Sequence, residues 1–225
     1  MKKKLLLTIA SCLITGMVFA QSAFEGFYGQ LGVGYQSFSD KATNSTFRPS
    51  GSSTSFSQSI TNTTPQGFAG NIALGYNKAI TESYLLGLGV EYSPIATNQA
   101  PRTITTSLGS SFQGWLKVNN YYNIFINPTY AIDKDKAAYL KLGWSQASVS
   151  NAYTSYNQSG PSLGLGYKQF FSGNWYSFVE ANYIMYGNST YSIQTSSSES
   201  RGSGTSSATN SGNLFSGLVG VGYKF

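Results

Sequence analysis

Apolar and polar residues alternate singly along most of this chain, a period of two that puts successive side chains on opposite faces of a β-strand. The first such segment sets Phe27, Gly29, Leu31, Val33 and Tyr35 against Tyr28, Gln30, Gly32, Gly34 and Gln36. The second sets Phe68, Gly70, Ile72, Leu74 and Tyr76 against Ala69, Asn71, Ala73, Gly75 and Asn77. In the third, Tyr84, Leu86, Leu88, Val90 and Tyr92 oppose Leu85, Gly87, Gly89, Glu91 and Ser93. The fourth reads with Leu116, Val118, Tyr122, Ile124, Ile126 and Tyr130 outward and Lys117, Asn119, Asn123 and Asn127 inward. Four further segments, 138–145, 162–168, 175–185 and 215–225, follow the same rule and place Lys141, Lys168 and Glu180 on the small, polar face. The pattern predicts eight strands.

A soluble antiparallel sheet also alternates, so a secreted β-sandwich is the alternative to a barrel. Three features favour the barrel. The apolar faces begin and end on aromatic residues: Phe27, Tyr76, Tyr84, Tyr130, Tyr167, Trp175, Tyr223 and Phe225 fall at one end, and Tyr35, Phe68, Tyr92, Trp144, Tyr183 and Phe215 at the other. Two aromatic girdles one bilayer apart suit a membrane-spanning barrel. The connections alternate long and short, over 39–66, 78–82, 94–114, 133–136, 147–160, 171–174 and 187–212. Surface loops and periplasmic turns of outer-membrane barrels differ in this way. The inward face, finally, is mostly Gly, Ala, Ser and Asn, where a sandwich core would be bulky. The expected fold is all-β, an eight-stranded antiparallel up-and-down transmembrane β-barrel. Weak alternation over 54–60 leaves two variants, an extension of the barrel above the membrane or a count of ten strands.

Composition agrees. Charged residues make up 10% of the chain and aromatics 15%, among 225 residues with no histidine, whereas an ordinary soluble domain is about a quarter charged. Lys2, Lys3 and Lys4 precede an interrupted apolar run, and Val18-Phe19-Ala20 offers a small-x-small cleavage site. Residues 1–20 therefore read as a cleaved signal peptide and 21–225 as one outer-membrane barrel domain. Cys12, the single cysteine, falls within the signal and leaves the exported chain without disulfides.

The stretch Gly217-Leu218-Val219-Gly220-Val221-Gly222-Tyr223-Lys224-Phe225 resembles the C-terminal insertion signal of outer-membrane proteins. With the Gly-interrupted runs at 31–35 and 163–167 and the stretch Ser177–Tyr183, the chain resembles the small outer-membrane β-barrels of the OmpA-like transmembrane domain and opacity types. That resemblance implies recognition of Phe215, Val219, Val221, Tyr223 and Phe225 by the barrel assembly machinery. No periplasmic domain follows the final strand, so a peptidoglycan anchor is not expected.

The candidate site residues are few. An unpaired charge inside a packed barrel is costly, so Glu91, Lys117, Lys141, Lys168 and Glu180 are expected to form an interior ion-pair network. Lys168 and Lys141 lie near Glu180 in this reading, and Lys117 lies near Glu91. Arg48, Arg102 and Arg201 are expected in surface loops, where a guanidinium could meet lipopolysaccharide phosphates or an acidic receptor. Without histidine there is no Ser-His-Asp triad and no His/Cys metal cluster, and the sequence contains no phosphate-cradling loop. Dispersed lysines argue against nucleic acid. No cofactor is expected, and a monomer surrounded by outer-membrane lipid and lipopolysaccharide is. The function expected is a structural or surface-interaction role through long extracellular loops, with a narrow channel for small or lipophilic solutes as the alternative.

Overall fold

The computed structural model describes residues 22–107, 109–195 and 203–225. The signal peptide read at 1–20 and the loop residue Arg201 lie outside them. Ten strands run in chain order: β1 (Gly26–Pro49), β2 (Phe56–Ile60), β3 (Gln66–Ala79), β4 (Tyr84–Ser93), β5 (Ala100–Thr106), β6 (Ser111–Ala131), β7 (Lys136–Asn151), β8 (Ser155–Ser172), β9 (Trp175–Thr195) and β10 (Gly204–Lys224). Every pairing is antiparallel, and β10 returns to β1 to close the sheet.

The ten strands make eight legs. In the lower barrel β3 and β4 stand between β1 and β6. Above them β2 and β5 take the same two places. One descending leg is thus β2 followed by β3, and one ascending leg is β4 followed by β5, so the eight-stranded up-and-down barrel holds at both heights. The interruptions at 61–65 and 94–99 are stitched by side chains. Gln36 Nε2 donates to the Phe68 carbonyl at 2.9 Å and to the Ile95 carbonyl at 2.8 Å. Ser93 Oγ donates to the Gly70 carbonyl at 2.9 Å.

The long connections are shorter as loops than their composition suggests. β1 and β10 run beside each other up to Pro49 and Gly204, and β7 and β8 up to Ser150 and Ser155. These segments are Ser-, Thr- and Asn-rich because polar groups line one face and water meets the other. Their backbone ladders are supplemented by hydroxyl pairs such as Thr190–Thr209 and Ser192–Ser207, each at 2.8 Å.

Lower on the wall the outward face is apolar. Leu88 is 61% exposed, Ile124 62% and Leu165 61%, a continuous aliphatic band that only lipid can cover favourably. Aromatic pairs flank it: Tyr84–Tyr130 at 5.2 Å and Trp175–Tyr223 at 5.0 Å at one end, Tyr92–Tyr122 at 4.7 Å at the other. On β10, Phe215, Val219 and Val221 face outward into this band, and Phe225, just past the end of the strand, is also exposed. The Phe225 N–H donates to the Phe27 carbonyl at 2.9 Å, across the closing seam.

One segment departs from the sequence reading. The β6–β7 register shifts between Val118 and Asn120, and a bulge of one residue exchanges the two faces beyond it. Leu116 and Val118, expected outward, are fully buried inside the barrel. Lys117, expected inward, leaves the interior and holds its ammonium 5.9 Å from the Trp115 ring centroid.

Inward glycines make room for large rings. A Cβ at Gly75 would lie 2.5 Å from the Tyr28 hydroxyl. Gly166 and Gly222 likewise stand directly against the rings of Tyr139 and Tyr176. A narrow eight-legged interior is filled by side chains in this way.

Candidate functional site

The lumen is a stack of layers. Nearest the periplasm, the Lys168 ammonium is caged by the rings of Phe24, Tyr139, Tyr28 and Tyr176, at 5.2, 5.3, 5.6 and 6.0 Å from their centroids. Each ring face offers negative quadrupole to the buried cation. Lys168 comes from β8, and its cage from the chain before β1 and from β1, β7 and β9. The alternation of those strands turns all of these residues inward.

The next layer is ionic. Lys141 on β7 bridges two carboxylates, Glu91 on β4 and Glu180 on β9, the latter at 2.9 Å. All three are buried. Glu180 is further held by the Tyr139 hydroxyl at 2.9 Å and by Asn182 Nδ2 at 2.8 Å, both donating to it. The Lys141 ammonium also lies 4.5 Å from the Phe125 ring centroid. Of the two lysines expected near Glu180, Lys141 makes the ion pair and Lys168 does not. Glu91, expected to meet Lys117, pairs instead with the same Lys141. Both carboxylates are occupied by it, and no cluster of three or more metal-ligating side chains occurs among the described residues.

Amide and hydroxyl groups knit the walls together around this layer. On its periplasmic side Asn127 Nδ2 donates to Asn77 Oδ1 at 3.1 Å, and Asn77 Nδ2 to the Phe24 carbonyl at 3.1 Å; opposite Glu91, Ser162 Oγ donates to Asn123 Oδ1 at 2.8 Å. An apolar plug follows, in which Phe38, Leu116, Val118, Tyr121, Val149 and Leu214 pack across the bore. The bulge on β6 is what delivers Leu116 and Val118 to it.

At the extracellular end the structure corrects a second expectation. Arg102 is not on a surface loop: it lies on β5 and is only 3% exposed. Its Nη2 donates to Asp40 Oδ2 at 2.7 Å, inside the barrel and above the plug. A run of polar residues between two apolar segments reads as a loop, and here it is a strand with a polar lumen on one side. Burial pushes the Asp40 carboxyl up to about 6, against the opposing pull of the Arg102 guanidinium. Arg48, also expected in a loop, lies near the end of β1, paired with Thr205 of β10; it is exposed, and its Nε donates to the Ser52 carbonyl at 2.7 Å near the rim.

Over the Asp40–Arg102 pair lies a cup lined by Gln58, Arg102, Ile104, Tyr191, Ile193 and Ser206, among others. The sequence reading missed Asp40, Gln58 and Ser206. The one available signal was Asp40 itself, the single acid in the polar stretch 36–49 and in phase with inward Gln36 and Phe38.

No family model and no curated protein matches this chain. Solved structures do. OprG of Pseudomonas aeruginosa, an outer-membrane protein, aligns with 89% of this chain and 96% of its own at 13% identity, with a TM-score of 0.55. The fold is that of an outer-membrane β-barrel. The outer-membrane protease OmpT of Escherichia coli aligns with 94% of this chain and 99% of its own, at 13% identity and a TM-score of 0.52. At these identities the likeness is one of fold. The outer membrane is the compartment that goes with that fold and with the lipid-facing band.

Proposed function

We propose that this chain is a closed, non-catalytic outer-membrane barrel whose work is recognition at its extracellular end. The observation that carries the reading is the filled lumen. A caged lysine, a carboxylate–lysine–carboxylate bridge and an apolar plug succeed one another along the bore. A solute pathway would have to dismantle all three layers. The complete lack of histidine supports a non-catalytic role, because most acid–base and nucleophilic sites use an imidazole.

In this reading the embedded wall is an anchor, and the β1–β10, β7–β8 and β9–β10 extensions present a ladder-paired rim with polar surfaces. Lipopolysaccharide is the nearest partner for an exposed rim cation such as Arg48, and the barrel assembly machinery is the partner for the outward face of β10. Planar-bilayer recording of the refolded protein tests the proposal. Silence at all voltages is the expected result, and reproducible current steps would replace recognition with conduction.

A further inference from the structure

The extracellular cup has an unusual set of free hydrogen-bonding groups. Gln58 Oε1 accepts from Ser45 Oγ at 3.2 Å, which fixes the amide and leaves its Nε2 with no partner among the described residues. Arg102 spends Nη2 on Asp40, while its Nε is also unpartnered among the described residues. Ser206 Oγ is the third such atom. All three side chains are more than nine-tenths buried, at 8%, 3% and 7% exposure, and all three line the cup. A buried donor left unpaired keeps its full desolvation penalty. Two are obligate donors and the third can donate, so the matching ligand group is an acceptor.

The remaining wall includes Ile60, Ile104, Ile193 and Ala208, which match an apolar body. The cup leaves about 30 Å³ for water-sized groups, enough for a head group when a single water needs about 10–15 Å³. The rest of a ligand would lie along the isoleucines toward the mouth. An anionic head placed beside Arg102 competes directly with the Asp40 carboxylate for the same guanidinium.

We propose that the cup binds a small organic oxyanion with an apolar body, its head held by Arg102, Gln58 and Ser206, and that binding draws one proton from solvent onto Asp40. This deepens the recognition role above and rests on it. Protonating Asp40 frees the guanidinium charge for the ligand and spares the cup a second negative charge. The surroundings of Asp40 suit the exchange. Arg102 faces it from β5 and Asn210 Nδ2 from β10 at 3.4 Å. Asn210 also donates to the Tyr156 hydroxyl of β8 at 3.0 Å, and the Tyr156 ring stacks on Tyr191 of β9 at 4.6 Å. From the chain between β2 and β3, the Thr63 carbonyl accepts the Asp40 N–H at 3.0 Å. Burial pushes the Tyr156 hydroxyl further upward, away from neutral pH. Asp40, raised to about 6, is therefore the group in this cluster that titrates near neutrality.

The test is calorimetric titration of hexanesulfonate, which stays ionised throughout, into the mature protein in lipid nanodiscs. With Asp40 raised to about 6, its protonated fraction grows about thirty-fold between pH 7.5 and pH 5, and the apparent affinity should rise by the same factor. Buffers of different ionisation enthalpy should report close to one proton taken up per ligand at pH 7.5. Asp40→Asn should bind tightly with no pH dependence, and Arg102→Gln should lose binding. Gln58→Leu, which leaves the ion pair intact, should weaken it about ten-fold and decides the matter if Arg102→Gln fails to fold. Hexanol binding as tightly as hexanesulfonate, a flat pH profile in the unaltered protein, or no heat at either pH would overturn the proposal. Current recorded from the same preparation separates the two readings. Steps of conductance sink the closed barrel whatever the titration shows, whereas silence without binding sinks the oxyanion site alone.

Discussion

Replacing Lys141 with methionine removes the one cation shared by Glu91 and Glu180 and leaves two buried carboxylates facing each other. At the 2.9 Å separation from Glu180, with an effective dielectric constant of about 20, each such contact amounts to roughly 6 kcal/mol of Coulomb attraction. Desolvation of the lysine offsets part of this, and one of the orphaned carboxylates can take up a proton. Glu180 also keeps its donors from Tyr139 and Asn182. The net cost expected is about 3–5 kcal/mol, the range for breaking a buried pair by removing one partner. Urea unfolding of the barrel refolded into phosphatidylcholine vesicles, followed by its heat-modifiable gel shift, measures it. The triple variant Lys141→Met, Glu91→Gln, Glu180→Gln removes all three charges together and should return to within about 2 kcal/mol of the parent, because neutral isosteres of a buried triad carry no uncompensated ion. A single-variant loss below about 1 kcal/mol, or a triple variant no better than the single one, would refute the argument that compensation holds this layer together.

Four further outcomes follow from the same structure. Gln36→Leu leaves the carbonyls of Phe68 and Ile95 without their side-chain donor and should cost about 1–3 kcal/mol, with hydrogen exchange increased selectively around 66–70 and 94–98. Gly166→Val drives a side chain into the Tyr139 ring and weakens its bond to Glu180; about 3 kcal/mol of destabilisation is expected, and the same change at Gly217, where a Cβ would meet nothing within 4 Å, should be nearly silent. The folded Asp40 carboxyl, raised to about 6, lies above its unfolded value of about 3.9. Its contribution to stability is therefore fully present below about pH 4 and lost as the pH rises through about 6, up to roughly 3 kcal/mol in all; the stability difference between the parent and Asp40→Asn should slope across that window and be flat outside it. Phe225→Ala should slow assembly in cells, read as the fraction reaching the heat-modifiable form, while leaving detergent refolding within about 1 kcal/mol.

The fold was largely legible because the embedded wall meets two contrasting environments. Along β4, lipid selects Leu86, Leu88 and Val90 on one side, and the crowded lumen selects Gly87, Gly89 and Glu91 on the other. That contrast disappears above the membrane, where Thr205 to Asn213 faces water outside and a partly polar cavity within. Such a strand has the composition of a loop, and Arg102 was misplaced for that reason. The bulge at Val118–Asn120 was invisible because alternation carries no mark of a skipped phase. Which lysine meets which glutamate depends on stagger between legs far apart in the chain. Lys141 and Glu91 are 50 residues apart, and no local pattern reports that they share a height.

The seam between β1 and β10 sets a condition on how the molecule comes into being. It joins Tyr28 to Lys224 and Pro49 to Gly204, so the first strand made waits for the last. Until β10 arrives, the growing sheet has two open edges and an unsealed lumen, and its apolar band is a template for aggregation. Contacts this distant in sequence are slow to form. Chains shortened from the C-terminal side should therefore yield no smaller barrel, only a ribbon that needs a chaperone to reach the membrane.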